Sequence, residues 1–395
     1  MGFIWVGAAA FLIWLLQGIL YQHFWMQGLD ARLEFSAKAV REGESGILKE
    51  IVENRKLLPL PVLQVGFTVD RSLEFISGSN VTVSDQAYRR DIFAILPYQQ
   101  ITRSLGFLAR KRGYYQCGQI ELVGKELFLE GSYVRKVDTS ASLYVYPKAI
   151  DVKPAEVVCQ EMLGEFFWKK KLYEDPFAFQ RIRDYEVWDG FRQVNWKASA
   201  RTGALKVNVY ENTALPRVQI LLNLEQEEIW EDERLMESVI QIGAALAQQW
   251  IARGIATAVR TNGKDILTGQ YASVDAGAGT GHLTAILQML SRVQVADIRM
   301  AQENRACGSP FWNDVQTQMM IYVSAGENEE NLKILQQCAV DGAGILWIQP
   351  VMTGSVGASK SGANARAGIG LQESGANARA GSGLQLPYMQ WRITT

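Results

Sequence analysis

The chain has 395 residues, a length that predicts two or three domains at roughly 100 to 200 residues each. Hydrophobic residues make up 48% and charged residues 21%, and the net charge of -1 gives no electrostatic reason to expect a nucleic-acid partner. The four cysteines are widely spaced without a CxxC motif and there are only two histidines, which disfavours a zinc knuckle, a dense disulfide framework and histidine-based catalysis.

The first predicted element is an apolar helix that forms a membrane anchor at residues 1–29. Residues 2–29 contain no Asp, Glu, Lys or Arg, and about 20 such residues span a bilayer. Aromatic side chains lie near both ends, and neither a basic n-region nor a small-residue cleavage site is visible, which favours an uncleaved anchor over a signal peptide or a core helix. Lys and Arg residues follow the span between 32 and 56, so we expect a single-pass protein of the cell membrane with a cytoplasmic soluble part.

Residues 30–150 consist of short segments in which apolar and polar side chains alternate. Charged residues, Gly, Asn or Pro separate these segments at spacings near ten residues. That pattern predicts an antiparallel β-sandwich.

The periodicity changes in residues 216–352. The apolar run at 217–225 is typical of a strand that is covered on both faces. A helix with one broad buried face is predicted next, ending at Gly254. Strands and helices then alternate, which predicts a parallel sheet with helices on both faces.

The tail at residues 353–386 contains a nearly identical duplication of 13 residues, SGANARAGIGLQE from Ser361 and SGANARAGSGLQL from Ser374. Gly, Ala, Ser and Asn dominate it, and so little apolar surface cannot offset the entropy of ordering. We therefore predict a flexible insertion, produced by a recent in-frame duplication without a function of its own. Residues 387–395 regain strand character and predict a terminal strand.

The sequence contains little evidence of a catalytic motif. No GxxxxGK[ST] loop is present, and Lys197 and Ser199 lie two residues apart on a predicted helix, where their side chains point to different sides. We therefore predict no catalytic residue and no cofactor. A hydrolase or nucleotide-dependent enzyme with an unrecognised site stays open as the alternative.

Residues 151–215 connect the two predicted domains and contain the segment RIRDYEVWDGFRQVNWKASARTGALK at 181–206, called here the signature segment. Asp189 fits the N-cap of a short helix that would end at Gly203. Lys197 and Arg201 would lie near the negative end of that helix. Arg192 and Trp196 are four residues apart and share a face.

Two interpretations of the signature segment are open. Three of its arginines, Arg183, Arg192 and Arg201, could pair with Asp184, Glu186 and Asp189 and so fix the helix between the β-region and the α/β region. Alternatively, its Arg and Trp side chains, which are types enriched among interface hot spots, could form a partner-binding surface.

Residues 182–211 closely resemble the signature of the bacterial domain-of-unknown-function 58 family, and the resemblance covers nearly the whole chain except the duplicated tail. Trp188 departs from the family pattern, which has Gly before the Asp. Twelve positions match: Arg183, Tyr185, Asp189, Arg192, Asn195, Trp196, Lys197, Ser199, Ala200, Arg201, Gly203 and Leu205. Seven of them are the candidate partner-binding or domain-bridging residues: Arg183, Tyr185, Asp189, Arg192, Trp196, Lys197 and Arg201.

The resemblance implies an α+β multidomain protein with an N-terminal transmembrane helix, an antiparallel β-sandwich and an α/β domain that looks like a von Willebrand factor A domain of Rossmann type. Such domains often bind a divalent cation through a D-x-S-x-S motif after their first strand. Here Asn223, Glu225 and Glu227 stand at the corresponding positions. Without the first carboxylate and the hydroxyls, we expect an A-like fold that holds no metal.

The resemblance also implies partners. Members of the family typically occur beside genes for MoxR-type AAA+ ATPases and other von Willebrand A-domain proteins. This association implies a non-catalytic adaptor or scaffold, anchored in the membrane, that serves protein complex assembly or envelope maintenance.

Overall fold

A computed structural model gives the fold of most of the chain. Glu227, Trp188 and the duplicated tail at 353–386 lie outside the described residues, which are 2–76, 81–83, 86–152, 155, 157–158, 174–186, 189–212, 217–225, 233–294, 319–326, 329–340, 344–352 and 388–393. The described part is a mixed α/β protein that contains more strand than helix.

The chain divides into two compact units. The first comprises Met1–Ala149 with Leu290–Arg292, and the second comprises Ile150–Met289 with Val293–Thr395.

The first unit begins with helix α1, Gly2–Phe24, which is long and apolar enough to cross a membrane. Side chains from Phe3 to Leu16 are exposed on all sides of the helix, so this stretch is not packed in the core of the unit. Towards its C-terminal end, Gln17 and Tyr21 become buried against the rest of the unit.

Two β-sheets make up the rest of the first unit. One has the strand order β1-β3-β8-β5, and the other has the order β2-β10-β9-β4-β7-β6. The strands are β1 Leu29–Phe35, β2 Ala39–Arg41, β3 Ser45–Asn54, β4 Leu60–Asp70, β5 Leu73–Phe75, β6 Val81–Val83, β7 Gln86–Ile95, β8 Gln100–Ala109, β9 Gly113–Lys125 and β10 Ser132–Tyr146.

The inner faces of these sheets share one hydrophobic core, which makes the unit a β-sandwich. Leu48 and Phe107 from the first sheet and Val65 and Leu122 from the second belong to the same buried cluster. Neighbouring strands pair antiparallel as predicted, except that the short β2 pairs parallel with β10. Alternation along one strand carries no information about such a pairing between distant segments, so the sequence did not indicate it.

The second unit begins with an antiparallel hairpin of β11, Glu174–Asp184, and β12, Lys206–Asn212. The signature segment supplies the last four residues of β11, the connection between the strands and the first residue of β12. That connection contains a 3-10 turn at Phe191–Gln193 and helix α2, Trp196–Thr202.

An open sheet of order β15-β14-β13-β17-β18-β19 follows, with β16 beside β14. All neighbours pair parallel except β15 and β16, which are antiparallel to β14. The strands are β13 Arg217–Asn223, β14 Ala256–Asp265, β15 Tyr271–Gly277, β16 Val293–Gln294, β17 Met319–Ser324, β18 Gly344–Met352 and β19 Tyr388–Ile393. The helices are α3 Glu233–Ala252, α4 Thr280–Arg292 and α5 Glu329–Val340.

Helices cover both faces of this sheet. Leu222 of β13 faces α3 so closely that a Cβ on Gly243 would lie 2.5 Å from its side chain. The adjacent Leu221 packs with Leu335 of α5 and with Trp347 of β18. Because successive side chains of a strand point to opposite faces, α3 and α5 lie on opposite sides of the sheet.

Candidate functional site

Helix α2 of the signature segment is held by caps at both of its ends. Asn195 is the N-cap, and its Oδ1 accepts a hydrogen bond of 2.9 Å from the backbone N–H of Ala198. Gly203 ends the helix with φ of 72°, the left-handed conformation that glycine adopts readily. The predicted stop at Gly203 therefore agrees with the structure, whereas the helix begins later than predicted.

Asp189 is not the N-cap that the sequence predicted. Its carboxylate accepts two hydrogen bonds from the Arg183 guanidinium, at 2.5 and 2.6 Å, and a third from the backbone N–H of Glu186 at 2.8 Å. Hydrogen bonding to Arg183 holds the pKa of Asp189 below its usual range. Two hydrogen bonds from an arginine stabilise this carboxylate more than one hydrogen bond from a backbone amide at a helix start would. Asp189 therefore lies in a turn that precedes the helix.

Ser199 is buried, and its hydroxyl is used to fasten α2 to β12. Its Oγ donates to the Asn195 carbonyl at 2.8 Å and accepts from the backbone N–H of Lys206 at 2.8 Å. Lys197 is exposed, so the two side chains point to different sides as predicted. This arrangement gives Ser199 a structural role and does not present it as a nucleophile.

The remaining signature side chains lie on the surface. Trp196 has an exposed fraction of 64% and Phe191 of 68%, values that are high for large apolar side chains. Arg192, Lys197 and Arg201 are also exposed, and none of the three forms an ion pair with another described residue. We call these five residues the exposed signature surface.

Among the described residues, the predicted pairing of Arg183, Arg192 and Arg201 with three acids is therefore realised for Arg183 alone. Arg183 pairs with Asp189 and approaches Glu186 at 3.9 Å, whereas Asp184 pairs with Lys206 at 2.5 Å. Tyr185 is half-buried, and its ring centroid lies 5.9 Å from that of Phe191.

A second polar cluster lies at the carboxyl end of β13, where the degenerate metal motif was predicted. Asn223 is buried, and its Nδ2 donates to the Tyr322 hydroxyl at 2.9 Å and to Ser324 Oγ at 3.2 Å. Its Oδ1 accepts from Asn262 Nδ2 at 2.6 Å. The sheet order changes direction between β13 and β17, and ligands of open α/β sheets bind at such switch points.

Neutral amides and hydroxyls make up this cluster, and burial raises the pKa of Tyr322 above its ordinary value. Glu225 is half-buried, and its backbone N–H donates to Asn223 Oδ1 at 3.2 Å, while Glu227 lies outside the described residues. Among the described residues, no group of three or more His, Cys, Asp or Glu side chains is placed to hold a metal ion.

Sequence reasoning missed the partners of Asn223. Asn262 stands near the end of one strand, Tyr322 lies within another, and Ser324 ends that second strand, in the segments TNG and YVSAG. The sequence signal for these partners was that each polar residue stands at or near the end of an apolar run. The strand register that brings them together joins segments far apart in the chain and could not be read from any one of them.

No protein-family profile and no curated protein matches the chain. Solved structures similar to part of it include the sixth cohesin of scaffoldin B from Acetivibrio cellulolyticus, crystallised with a Cel5 dockerin, at 15% identity over 30% of this chain and 99% of that chain, with a TM-score of 0.23. The major pilin SpaD from Corynebacterium diphtheriae matches at 8% identity over 29% of this chain and 34% of that chain, with a TM-score of 0.22. The bacterial hydrophobin BslA matches at 13% identity over 31% and 97%, with a TM-score of 0.20.

Proposed function

We propose that the protein is a membrane-anchored, non-catalytic adaptor or scaffold that works with a MoxR-type AAA+ ATPase and with other von Willebrand A-domain proteins in complex assembly or envelope maintenance. In this proposal α1 crosses the cell membrane once, and the β-sandwich and the second unit lie on the cytoplasmic side. The exposed signature surface binds the ATPase.

The division of roles within the signature segment is the observation that carries this proposal. Asp189, Asn195 and Ser199 are engaged with neighbouring groups and maintain the local fold. Trp196 and Arg192 are exposed and contribute little to that fold. Trp196 is held at the surface by the first turn of the capped helix α2, and Arg192 by the 3-10 turn before it. A large aromatic side chain and an arginine are the residue types that dominate interface energies.

The α/β sheet supports the part of the proposal that concerns fold. Counted from β13 as the first strand and without the short β16, its order is 3-2-1-4-5-6, the order of doubly wound α/β folds, with β15 as an antiparallel strand at the edge. Asn223 ends the first strand, where a metal-binding A domain would place a carboxylate. An A-like domain that lacks metal suits a scaffold, because it offers a rigid sheet without chemistry of its own.

Co-purification of the full-length protein with the MoxR-type ATPase encoded nearest to it tests the proposal. We expect Arg192→Ala and Trp196→Ala each to weaken capture by about tenfold or more, because truncating a hot-spot side chain costs about 2 kcal/mol. Thermal unfolding of both variants should match the wild type, since neither side chain is buried.

Two exposed residues of the β-sandwich serve as matched controls. Arg135→Ala on β10 and Ile92→Ala on β7 remove an arginine and an apolar side chain from other surfaces and should leave capture unchanged. Capture that is retained by stably folded Arg192→Ala and Trp196→Ala proteins would contradict the proposed surface. Turnover of a substrate by the purified protein alone would contradict the non-catalytic role.

A further inference from the structure

The connection between β9 and β10, residues 126–131, carries three consecutive apolar side chains that are exposed. Leu127, Phe128 and Leu129 have exposed fractions of 52%, 54% and 51%. Loops of soluble domains are normally polar, and three apolar residues in a row at a loop tip indicate a contact with something outside the unit. We call Leu127–Leu129 the apolar tip.

Several contacts place this β9–β10 hairpin alongside α1, all within the first unit. Near the base of the hairpin, the Trp25 ring lies against Gly124 and stacks on Tyr133 with centroids 6.0 Å apart. Further along, the Tyr133 hydroxyl donates to the Gly18 carbonyl at 3.4 Å. The hairpin therefore runs back along the helix from its C-terminal end.

The acidic residues that flank the apolar tip are bound to the same helix. Glu126 is buried, and it accepts hydrogen bonds from Gln17 Nε2 at 3.2 Å and from the Gly131 backbone N–H at 2.8 Å. Glu130 accepts a hydrogen bond from Trp14 Nε1 at 3.1 Å. Glu126 is buried and Glu130 is exposed, and each carboxylate has a hydrogen-bond donor from α1, as polar groups next to lipid require.

Because Trp14 binds Glu130 beside the apolar tip, the position of Trp14 along α1 gives the depth of the tip in a bilayer that α1 crosses. Trp14 to Phe24 measures about 15 Å along the helix axis at 1.5 Å per residue, and the hydrocarbon core of a bilayer is about 30 Å thick. The end of the helix is fixed to the sandwich, since Tyr21 donates to the Pro59 carbonyl at 2.7 Å and the Lys56 ammonium donates to the Trp25 carbonyl. A bilayer whose hydrocarbon core covers most of the length of α1 therefore also reaches the tip of the hairpin.

We propose that the apolar tip, Leu127–Leu129, inserts into the acyl-chain region of the same bilayer that α1 crosses, as a second membrane contact. The inference rests on the membrane anchoring in the proposed function. Lipid is the occupant because the residues that flank the tip, Glu126 and Glu130, bind Gln17 and Trp14, which places the tip beside the stretch of α1 whose apolar side chains are exposed from Phe3 to Leu16. Two contacts, with the carboxylates of the hairpin bound to the helix, would fix the orientation of the β-sandwich on the membrane surface.

Fluorescent labels at single cysteines test this insertion in the full-length protein, after replacement of its four native cysteines. A nitrobenzoxadiazole label is placed at Phe128→Cys, and the protein is reconstituted into phosphatidylcholine–phosphatidylglycerol vesicles with or without brominated acyl chains. We expect brominated lipid to remove most of the emission of this label and aqueous iodide to remove little of it.

Two further positions distinguish the possible results. Leu12→Cys lies on α1 and reports the membrane anchor itself. Ile76→Cys is an exposed apolar position whose N–H bonds to Gly106, about 20 Å along β8 from Gln100 at roughly 3.3 Å per residue. Gln100 begins β8 beside the loops that contact the end of α1, so the label at position 76 should respond to iodide and not to brominated lipid.

Each pattern of quenching then decides a different claim. If lipid quenches position 12 but position 128 behaves like position 76, the anchor stands and the insertion of the apolar tip is wrong. If lipid quenches neither position 12 nor position 128, membrane anchoring fails and the insertion fails with it. Lipid quenching at positions 12 and 128, with position 76 in water, supports both the membrane anchor and the insertion of the apolar tip.

Discussion

At the scale of single residues, the β-sandwich buries a cluster of charged side chains between its sheets. Glu50 lies on β3 of one sheet and Asp91 on β7 of the other, with exposed fractions of 1% and 0%. Asp91 accepts a hydrogen bond from Arg89 at 2.9 Å and forms an ion pair with Arg103 at 2.9 Å. Burial, followed by the charge of Asp91, raises the pKa of Glu50 to about 8.

The raised pKa makes stability depend on pH. Native Glu50 keeps its proton up to about pH 8, whereas in the unfolded chain it ionises near its ordinary pKa of 4.5. Its contribution to stability is therefore complete below about pH 4.5 and is lost as pH rises towards 8, by up to about 1.4 kcal/mol per pH unit.

We expect Glu50→Gln to remove this slope, so that the variant gains stability over the wild type as the pH rises from 5 to 8. Urea unfolding of the detergent-solubilised protein across this range measures it. Glu34→Gln, at an exposed carboxylate of β1, is the control and should leave the slope in place. Parallel stability curves for Glu50→Gln and the wild type would show that Glu50 is ionised in the native protein.

At the scale of secondary-structure elements, helix α2 shows what local sequence determines. Gly203 stops the helix as predicted, because a positive φ is a local requirement that glycine meets. The start at Asn195 was predicted wrongly at Asp189, since the competing partner, Arg183, lies on β11 outside the predicted helix. Helix ends governed by backbone conformation were thus predictable, and those governed by pairing with another element were not.

A matched pair of glycines tests the backbone requirement. Gly203 has φ of 72° and Gly190 has φ of -72°, and a Cβ at either position would meet nothing within 4 Å. Gly203→Ala should therefore cost about 1 kcal/mol through backbone strain alone, while Gly190→Ala should change the unfolding free energy by less than about 0.5 kcal/mol. Chemical unfolding of both variants measures the difference, and equal costs would mean that the left-handed conformation does not matter.

At the scale of the whole molecule, composition and periodicity predicted the apolar helix, the β-sandwich and the alternation of strands and helices. The order of the strands and the contents of the buried clusters were not predictable. Glu50 lies in the alternating segment ILKEIVENR, where nothing marks one acid as buried, and Asn223 meets Tyr322 across 99 positions of sequence. Both clusters depend on the register between distant strands, which a single sequence leaves open.

The final strand, β19, pairs parallel with β18, so that Trp347 lies opposite Tyr388 and Met352 opposite Ile393. Residues 353–387 connect the two strands, and parallel neighbours need a crossover of about a dozen residues or more. By this requirement we expect the pairing to tolerate the loss of one copy of the repeat but not of both.

We expect deletion of 374–386 to leave thermal unfolding unchanged, because 353–373 with Pro387 still exceeds the minimum crossover. Deletion of 361–386 leaves only 353–360 and Pro387, too short for the crossover, and should release β19 from the sheet. Amide hydrogen exchange at Tyr388–Ile393 measures the release directly. The longer deletion, rebuilt with a Gly-Ser linker of the original length, should restore protection if connection length is what matters. Failure of that linker to restore it would mean that the repeated sequence itself supports the strand.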